Sequence, residues 1–336
     1  MPRILCYLLC CVVLSLPVNG FAATFKIATI APEGSQWMQQ MRAGALEIKE
    51  KTAGRVQLKF YGGGVMGNEK SVLRKMRVSQ LQGGAFTGGG LSQISPDMLL
   101  YGLPLLTRSD AEMNSLRQKM DPVLMQLLEE KGFVSFGFAS GGYANLMSQE
   151  PIHGVTDMKG LKVWVPEGDR VSYAVMESLG LAPVTLPLSD VLTGLQTGLV
   201  EVVGTSPLGA LAFQWYTRVN YITPMPLAYV YGALVIDKRR FDRLSAEDQS
   251  VMRDVLCEMY RNFDKQNSID NTNAMQALQN QGLTIVQPLA GEYERWSAVA
   301  AEQADKMAEQ GLYSPEIYAQ IQNYLKCSRC CTDEEK

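Results

Sequence analysis

The strongest constraint on this chain is a rhythm in which strand-like runs alternate with segments of helical period, and the alternation occurs twice. It begins with "FKIATI" (25–30) and the helical stretch "SQWMQQMRAGALEIKEKTAG", in which Trp37, Met41, Ala45 and Ile48 share a face and Gly54 is the stop. The strand "RVQLKFY", the helix "NEKSVLRKMRVSQL", a short buried strand or loop "GGAFTGGG", a helix from Ser109 to Lys131 and the strand "FVSFGFAS" continue it. At Gly142 the pattern restarts, with "YANLMS", "LKVWVP", "PVTLP" and "LVEVVGTS" as strands separated by helices at 168–180 and 189–197, the second with Ser189 as its N-cap. Such alternation calls for sheets covered by helices, so the chain is of the α/β class.

After Pro207 an apolar helix, "LGALAFQWYTRV", leads to "LAYVYGALVID", an extended stretch long enough to cross between two sheets. A long helix starts at "LSAEDQ" with Ser245 and Asp248 in a capping-box spacing, and Val251, Val255, Met259 and Phe263 form an ordinary core stripe along it. "LTIVQP" is the last strand, and two amphipathic helices follow, the second opening at Ser314–Pro315. The expected fold is therefore two α/β lobes with a ligand cleft between them and a long helix spanning both. Lobe I is expected at 23–141 plus 230–269, lobe II at 142–229 plus 270–325, and a polar tail at 326–336.

The opening residues, "MPRILCYLLCCVVLSLPVNGFAA", have one basic residue, an apolar run too short to span a bilayer, a proline and small residues near Ala22, the layout of a cleavable export signal over residues 1–22. The expected location is periplasmic. With 31 Lys and Arg against 34 Asp and Glu, the net charge is −3 and no basic stripe points to nucleic acid. Three cysteines leave with the signal; Cys257 and the tail cysteines Cys327, Cys330 and Cys331 leave open a disulfide, free thiols or a metal ligand set. No G-x-S-x-G, H-E-x-x-H or P-loop is present, and the one histidine, His153, sits in the loop-like "PIHGV". An enzyme is the weaker reading, and no cofactor or metal is expected.

The segments "TAGRVQLKFYGGGVMGNEK", "LLYGLPLLTRSDAEM", "DMKGLKVWVP", "LGLAPVTLPLSDVLTGLQTGLVE" and "LVIDKRRFDRLSAEDQ" resemble the extracytoplasmic solute-binding subunits of TRAP transporters over roughly residues 25 to 290. The resemblance implies a periplasmic binding protein fold that closes on a solute, delivers it to TRAP membrane permease subunits and turns nothing over. It also marks departures. The family's carboxylate-pairing arginine is replaced by Trp164, a basic residue found in some members by Ala144, and the "DGQENP"-like ending by "EVVGTSP".

Arginine holds a carboxylate through two charge-assisted hydrogen bonds, so its loss removes a main reason to bind a small organic acid. The expected site is a largely apolar cleft with Trp164, Trp37, Phe86, Tyr143 and Trp215 as walls and Thr87, Thr205, Ser206 and Gln214 as polar contacts. A hydrophobic, amphipathic or lipid-like solute follows. The alternative keeps Trp164 in the core and gives a carboxylate to Arg170, or reuses the fold as a lipid carrier with a soluble helical-repeat (TPR) partner.

Overall fold

Two six-stranded sheets divide the chain, and the computed structural model describes residues 22–333 of it. Apart from Ala22, the expected export segment lies outside the described residues. In chain order the strands are β1 (Ala23–Thr29), β2 (Val56–Tyr61), β3 (Gly83–Thr87), β4 (Phe133–Ser135), β5 (Ala139–Tyr143), β6 (Asn145–Ser148), β7 (Lys162–Pro166), β8 (Ala182–Leu186), β9 (Val202–Thr205), β10 (Tyr221–Thr223), β11 (Tyr229–Asp237) and β12 (Thr284–Ile285). The helices that shape the site or tie the lobes together are α1 (Gln36–Lys51), α2 (Glu69–Arg77), α3 (Gly88–Leu91), α4 (Asp110–Glu130), α5 (Arg170–Ser178), α6 (Pro207–Ala212), α7 (Ala246–Asn280), α8 (Glu292–Glu309) and α9 (Pro315–Asp333).

Lobe I holds the sheet β2-β1-β3-β11-β4, with β5 also paired to β11; lobe II holds β12-β10-β6-β9-β7-β8. Parallel pairs (β1 with β2 and β3, β7 with β8 and β9) sit beside antiparallel ones made by β11 and β6. In β7 the side chains divide by face. Val163 and Val165 join one core cluster, and Trp164 joins another around Trp215 and Val203. One face of the lobe I sheet is covered by α1 and the first half of α7, which approach so closely that a side-chain carbon on Gly44 would lie 2.9 Å from the sulfur of Met259.

The chain passes between lobes at adjacent places. A single residue, Ala144, separates β5 from β6, and it pairs with the return strand: its N–H donates to Ala228 O, and Leu227 N–H donates to its carbonyl, both at 2.9 Å. Residues 224–228 make the second crossing, so most of "LAYVYGALVID" stays within the lobe I sheet. The 35-residue α7 is the third connection, roughly 50 Å long at 1.5 Å per residue. Its N-cap is Ser245, as expected, accepting from Asp248 N–H at 3.1 Å.

The last helix departs from the expected division. α8 packs on α5 in lobe II, but α9 returns to lobe I and lies along α4. Ser314 N–H donates to Asp97, the hydroxyls of Tyr324 and Ser115 are 2.6 Å apart, and Arg329 binds Glu112 and the Leu106 carbonyl. The polar composition of 326–333 suggested a tail, yet the helix continues to Asp333 because Arg329 docks it. Cys257, Cys327 and Cys330 are free thiols, which removes a disulfide joining any two of these three. Ser189 does not cap its helix, which starts at Val191 with Asp190 in the cap position. The apolar helix after Pro207 ends at Ala212, since Gln214 turns left-handed and a 3₁₀ turn follows.

Candidate functional site

Four strands end at the interlobe cleft, and each hands the chain to a helix that starts there. β1, β3, β7 and β9 lead into α1, α3, α5 and α6, whose N-caps are Ser35, Thr87, Asp169 and Ser206. Ligands of α/β folds bind outside the carboxyl ends of strands, and here two sheets bring such ends face to face. The cleft between them encloses about 630 Å³. Trp37, Phe86, Met98, Trp164, Met176 and Phe213 form apolar parts of its wall.

Most polar side chains on that wall already have partners. Thr87 Oγ1 donates to Glu69 at 3.0 Å and accepts from Gly90 N–H, and Ser206 Oγ accepts from Gly209 N–H at 3.2 Å. Asn68 caps α2 through Ser71 N–H, and the Asp169 carboxylate accepts from both the backbone and the hydroxyl of Ser172. Ser140 accepts from Asn267 at 2.8 Å. Tyr231 differs: the residue contributes to the wall, and its hydroxyl is fully buried with no hydrogen-bond partner among the described residues.

The charged side chains on the wall are Glu69, Glu167, Asp169 and Asp270; none is Lys, Arg or His. Burial pushes the Glu69 carboxyl up to about 7, against the two bonds from Thr87 that favour its charge, and the opposing Glu167 adds to the rise. Burial likewise raises Asp169, with the Ser172 bonds opposing. The glycines of "FTGGG" explain themselves here. A side-chain carbon on Gly88 would meet the Tyr231 ring at 2.6 Å, and one on Gly90 the Glu69 carboxyl at 2.6 Å. On Gly89 it would lie 3.3 Å from the carbonyl of Glu167, across the cleft in lobe II. The lobes therefore touch at this turn.

Of the expected site residues, Trp37, Phe86, Thr87, Trp164, Thr205 and Ser206 line the cleft. Trp164 is both wall and core: only 6% exposed, it donates its indole N–H to Leu186 O at 3.0 Å and stands edge-on to Trp215 at 5.1 Å. Four others lie elsewhere. Trp215 is fully buried behind Trp164. Tyr143 turns its hydroxyl to Thr107 and the Ser109 carbonyl, and Gln214 is solvent-exposed at a left-handed turn. Arg170 is exposed and shares a separate depression with Tyr173 and Glu177, while Asp169, Ser172 and Met176 face the cleft. Its side chain is not part of the cleft wall.

Two groups of residues escaped the sequence reading. Glu69 lies in the first turn of α2, a place where an acid is ordinary because the helix dipole favours it. Asp264, Asn267 and Asn271 follow the apolar stripe of α7 at spacings of three and four, and they bind the crossing strand. Asp264 accepts from Ser140 N–H, Asn267 donates to Ser140 Oγ, and Asn271 donates to Gly141 O and accepts from Leu208 N–H. Arg117, 5% exposed, reaches the same place from α4 and donates to Asp264, Asp121, Tyr229 and the Phe138 carbonyl. Polar residues on one helix face just where an apolar stripe ends were the available signal.

A sequence model of the family described as bacterial extracellular solute-binding protein, family 7 (DctP), matches residues 27–310. The C4-dicarboxylate-binding periplasmic protein DctP of Rhodobacter capsulatus is 25% identical over 273 residues, 78% of this chain and 80% of that protein. Among solved structures, a TRAP periplasmic solute-binding protein of Desulfovibrio salexigens with bound orotic acid superposes with a TM-score of 0.83 at 18% identity, covering 90% of this chain and 99% of that one. One of Xanthobacter autotrophicus Py2 with bound β-D-galacturonate gives 0.82 at 19% identity, covering 90% and 99%.

Proposed function

The chain belongs to bacterial extracellular solute-binding protein family 7, the DctP family of TRAP-transporter receptors, and on that premise we propose that it binds a hydrophobic or amphipathic solute in the interlobe cleft. It acts in the periplasm after export, without turnover, and passes the solute to the membrane permease subunits of an ion-gradient-driven transporter. A soluble helical-repeat intermediary in that transfer belongs to the same proposal. Among the described residues no helix is long and apolar enough to cross a membrane, which fits a receptor that works beside its permease.

The observation that carries the solute class is the wall: no basic side chain lines it, and most of its polar side chains are spent on capping and internal bonds. Its volume lies within the range of about 300–1,000 Å³ typical of sites for drug-sized ligands, ample for more than a four-carbon acid. A second reading, a small organic acid, is favoured by the relatives, whose named ligands include orotic acid, galacturonate and C4-dicarboxylates. Native mass spectrometry of the exported protein, purified without unfolding and compared with its denatured mass, separates the two. A co-purified hydrophobe is the expected result; a small carboxylate at full occupancy would overturn the apolar reading.

A further inference from the structure

Resting on the apolar reading of the cleft, we propose that the solute carries an unbranched alkyl chain and that the chain ends against Gly204, whose missing side chain sets the length admitted. The cleft runs inward along α5. Asp169, Ser172 and Met176 of that helix all line it, so its wall extends about 10 Å from the strand ends into lobe II, at 1.5 Å per residue. Along that line a carboxylate and a hydroxyl give way to a thioether. Leu99, Ala144 and Leu227 line the cleft as well, and with Met176 they are 6–9% exposed and belong to the core cluster that excludes Trp164. The cavity therefore reaches past the strand ends to the aliphatic side of the lobe II sheet.

Gly204, half-buried on the same wall, gives an independent sign of a ligand. A glycine inside a strand weakens it, and it marks a bulge, a tight bend, or a place where a ligand or another backbone approaches closely. The β6–β9 ladder runs from Asn145–Thr205 to Ser148–Val202 without a register shift, and the φ of Gly204 is not positive. A side-chain carbon there would meet only Leu227 Cδ1 at 3.7 Å and Ala144 Cβ at 4.0 Å, ordinary contact distances, with no backbone atom near. The other strand glycines are hemmed in. On Gly83, Gly84, Gly141, Gly142 and Gly232 the same carbon would lie 3.0 Å or less from a protein atom. Gly204 thus holds open a space that the protein leaves unfilled. The gap left by one absent side chain is narrow, and its neighbours Leu227 and Ala144 bring no polar side-chain atom, which suits methylenes in single file rather than a ring or a head group.

The test titrates the exported protein, stripped of co-purified solute, with butan-1-ol, hexan-1-ol, octan-1-ol, decan-1-ol and 2-phenylethanol by calorimetry. In the parent, affinity should rise about fourfold per added methylene until the chain reaches Gly204, then level off. Gly204→Val, a residue that suits a strand, should weaken decan-1-ol by on the order of tenfold and leave butan-1-ol and 2-phenylethanol within about twofold. Gly204→Ala adds a single carbon at ordinary contact distance, should show the same selectivity by a smaller factor, and serves if the valine variant fails to fold. Unchanged decan-1-ol affinity in these variants, or an equal loss for 2-phenylethanol, overturns the chain's end at Gly204 and leaves the apolar cleft standing. Binding that gains nothing with chain length in the parent overturns the alkyl chain alone. No binding by any of the alcohols overturns both.

Discussion

At the scale of single residues, Trp164 and Glu69 both line the cleft, and each carries a test. Trp164→Phe keeps a ring on the wall but removes the indole bond to the Leu186 carbonyl, which still accepts from Glu167 N–H, and about 1 kcal/mol of stability should be lost. Trp164→Arg places a charge beside Trp215 and should lose more, together with affinity for an apolar solute; urea denaturation and solute titration check both. If the arginine variant bound an octyl probe as well as the parent, Trp164 would be core alone. Glu69 makes a prediction of opposite kind. Its carboxyl, usually near 4.5, sits near 7 in the folded protein, so between these values only the folded form holds the proton. Folding stability should therefore fall as pH rises from about 4.5 to 7 and stay low above, by about 3 kcal/mol from this group. Melting temperatures at pH 5 and 7.5 test it, since Glu69→Gln should flatten that slope; equal slopes in both proteins would refute the assignment. Trp164 was legible because strand alternation put it opposite Val163 and Val165. Arg170 was misplaced because helix phase, which sends Arg170, Tyr173 and Glu177 outward together, depends on a starting point that the sequence alone did not pin.

At the scale of elements, the long helix α7 works as a clamp along the crossing strands. Its first half buries Met252, Val255, Leu256 and Met259 against lobe I; of the stripe expected from spacing, Val255 and Met259 are buried, and Val251 and Phe263 pack partly buried against the same cluster. Its middle exchanges apolar contacts for Asp264, Asn267 and Asn271, and the meaning of those side chains appears only when Ser140 and Gly141 are seen beside them. Arg117→Met should leave Asp121 and Asp264 without their cation and cost about 3 kcal/mol, read as a lower urea midpoint. Adding Asp264→Asn to that variant should restore part of the loss, whereas strict additivity would show that the pair is not coupled. Strand and helix order was readable for most of the chain, since period and stop residues are local, but β10 was missed and "FVSFGFAS", read as one strand, is divided between β4 and β5. The docking of α9 was not, because it depends on Arg329 meeting Glu112, 217 residues away.

At the scale of the whole molecule, two lobes meet at a tight turn. A side-chain carbon on Gly89 would lie 3.3 Å from the Glu167 carbonyl, and one on Gly168, whose φ is +93°, would lie 3.3 Å from the Gly89 carbonyl. Gly89→Leu should hold the lobes apart while leaving each core intact. Small-angle scattering should then give a larger radius of gyration than the parent, solute affinity should drop at least tenfold, and the far-UV spectrum should not change. An unaltered radius would mean that the turn does not set the approach of the lobes. The two-lobe plan was legible because the strand–helix rhythm restarts at Gly142, but the contact itself was not, since it pairs two loops from different lobes. One arrangement has a practical side. The first strand and the last helix both belong to lobe I, so a tether fixed at either would grip the same body. A molecule immobilised on a sensor surface that way would leave lobe II untethered.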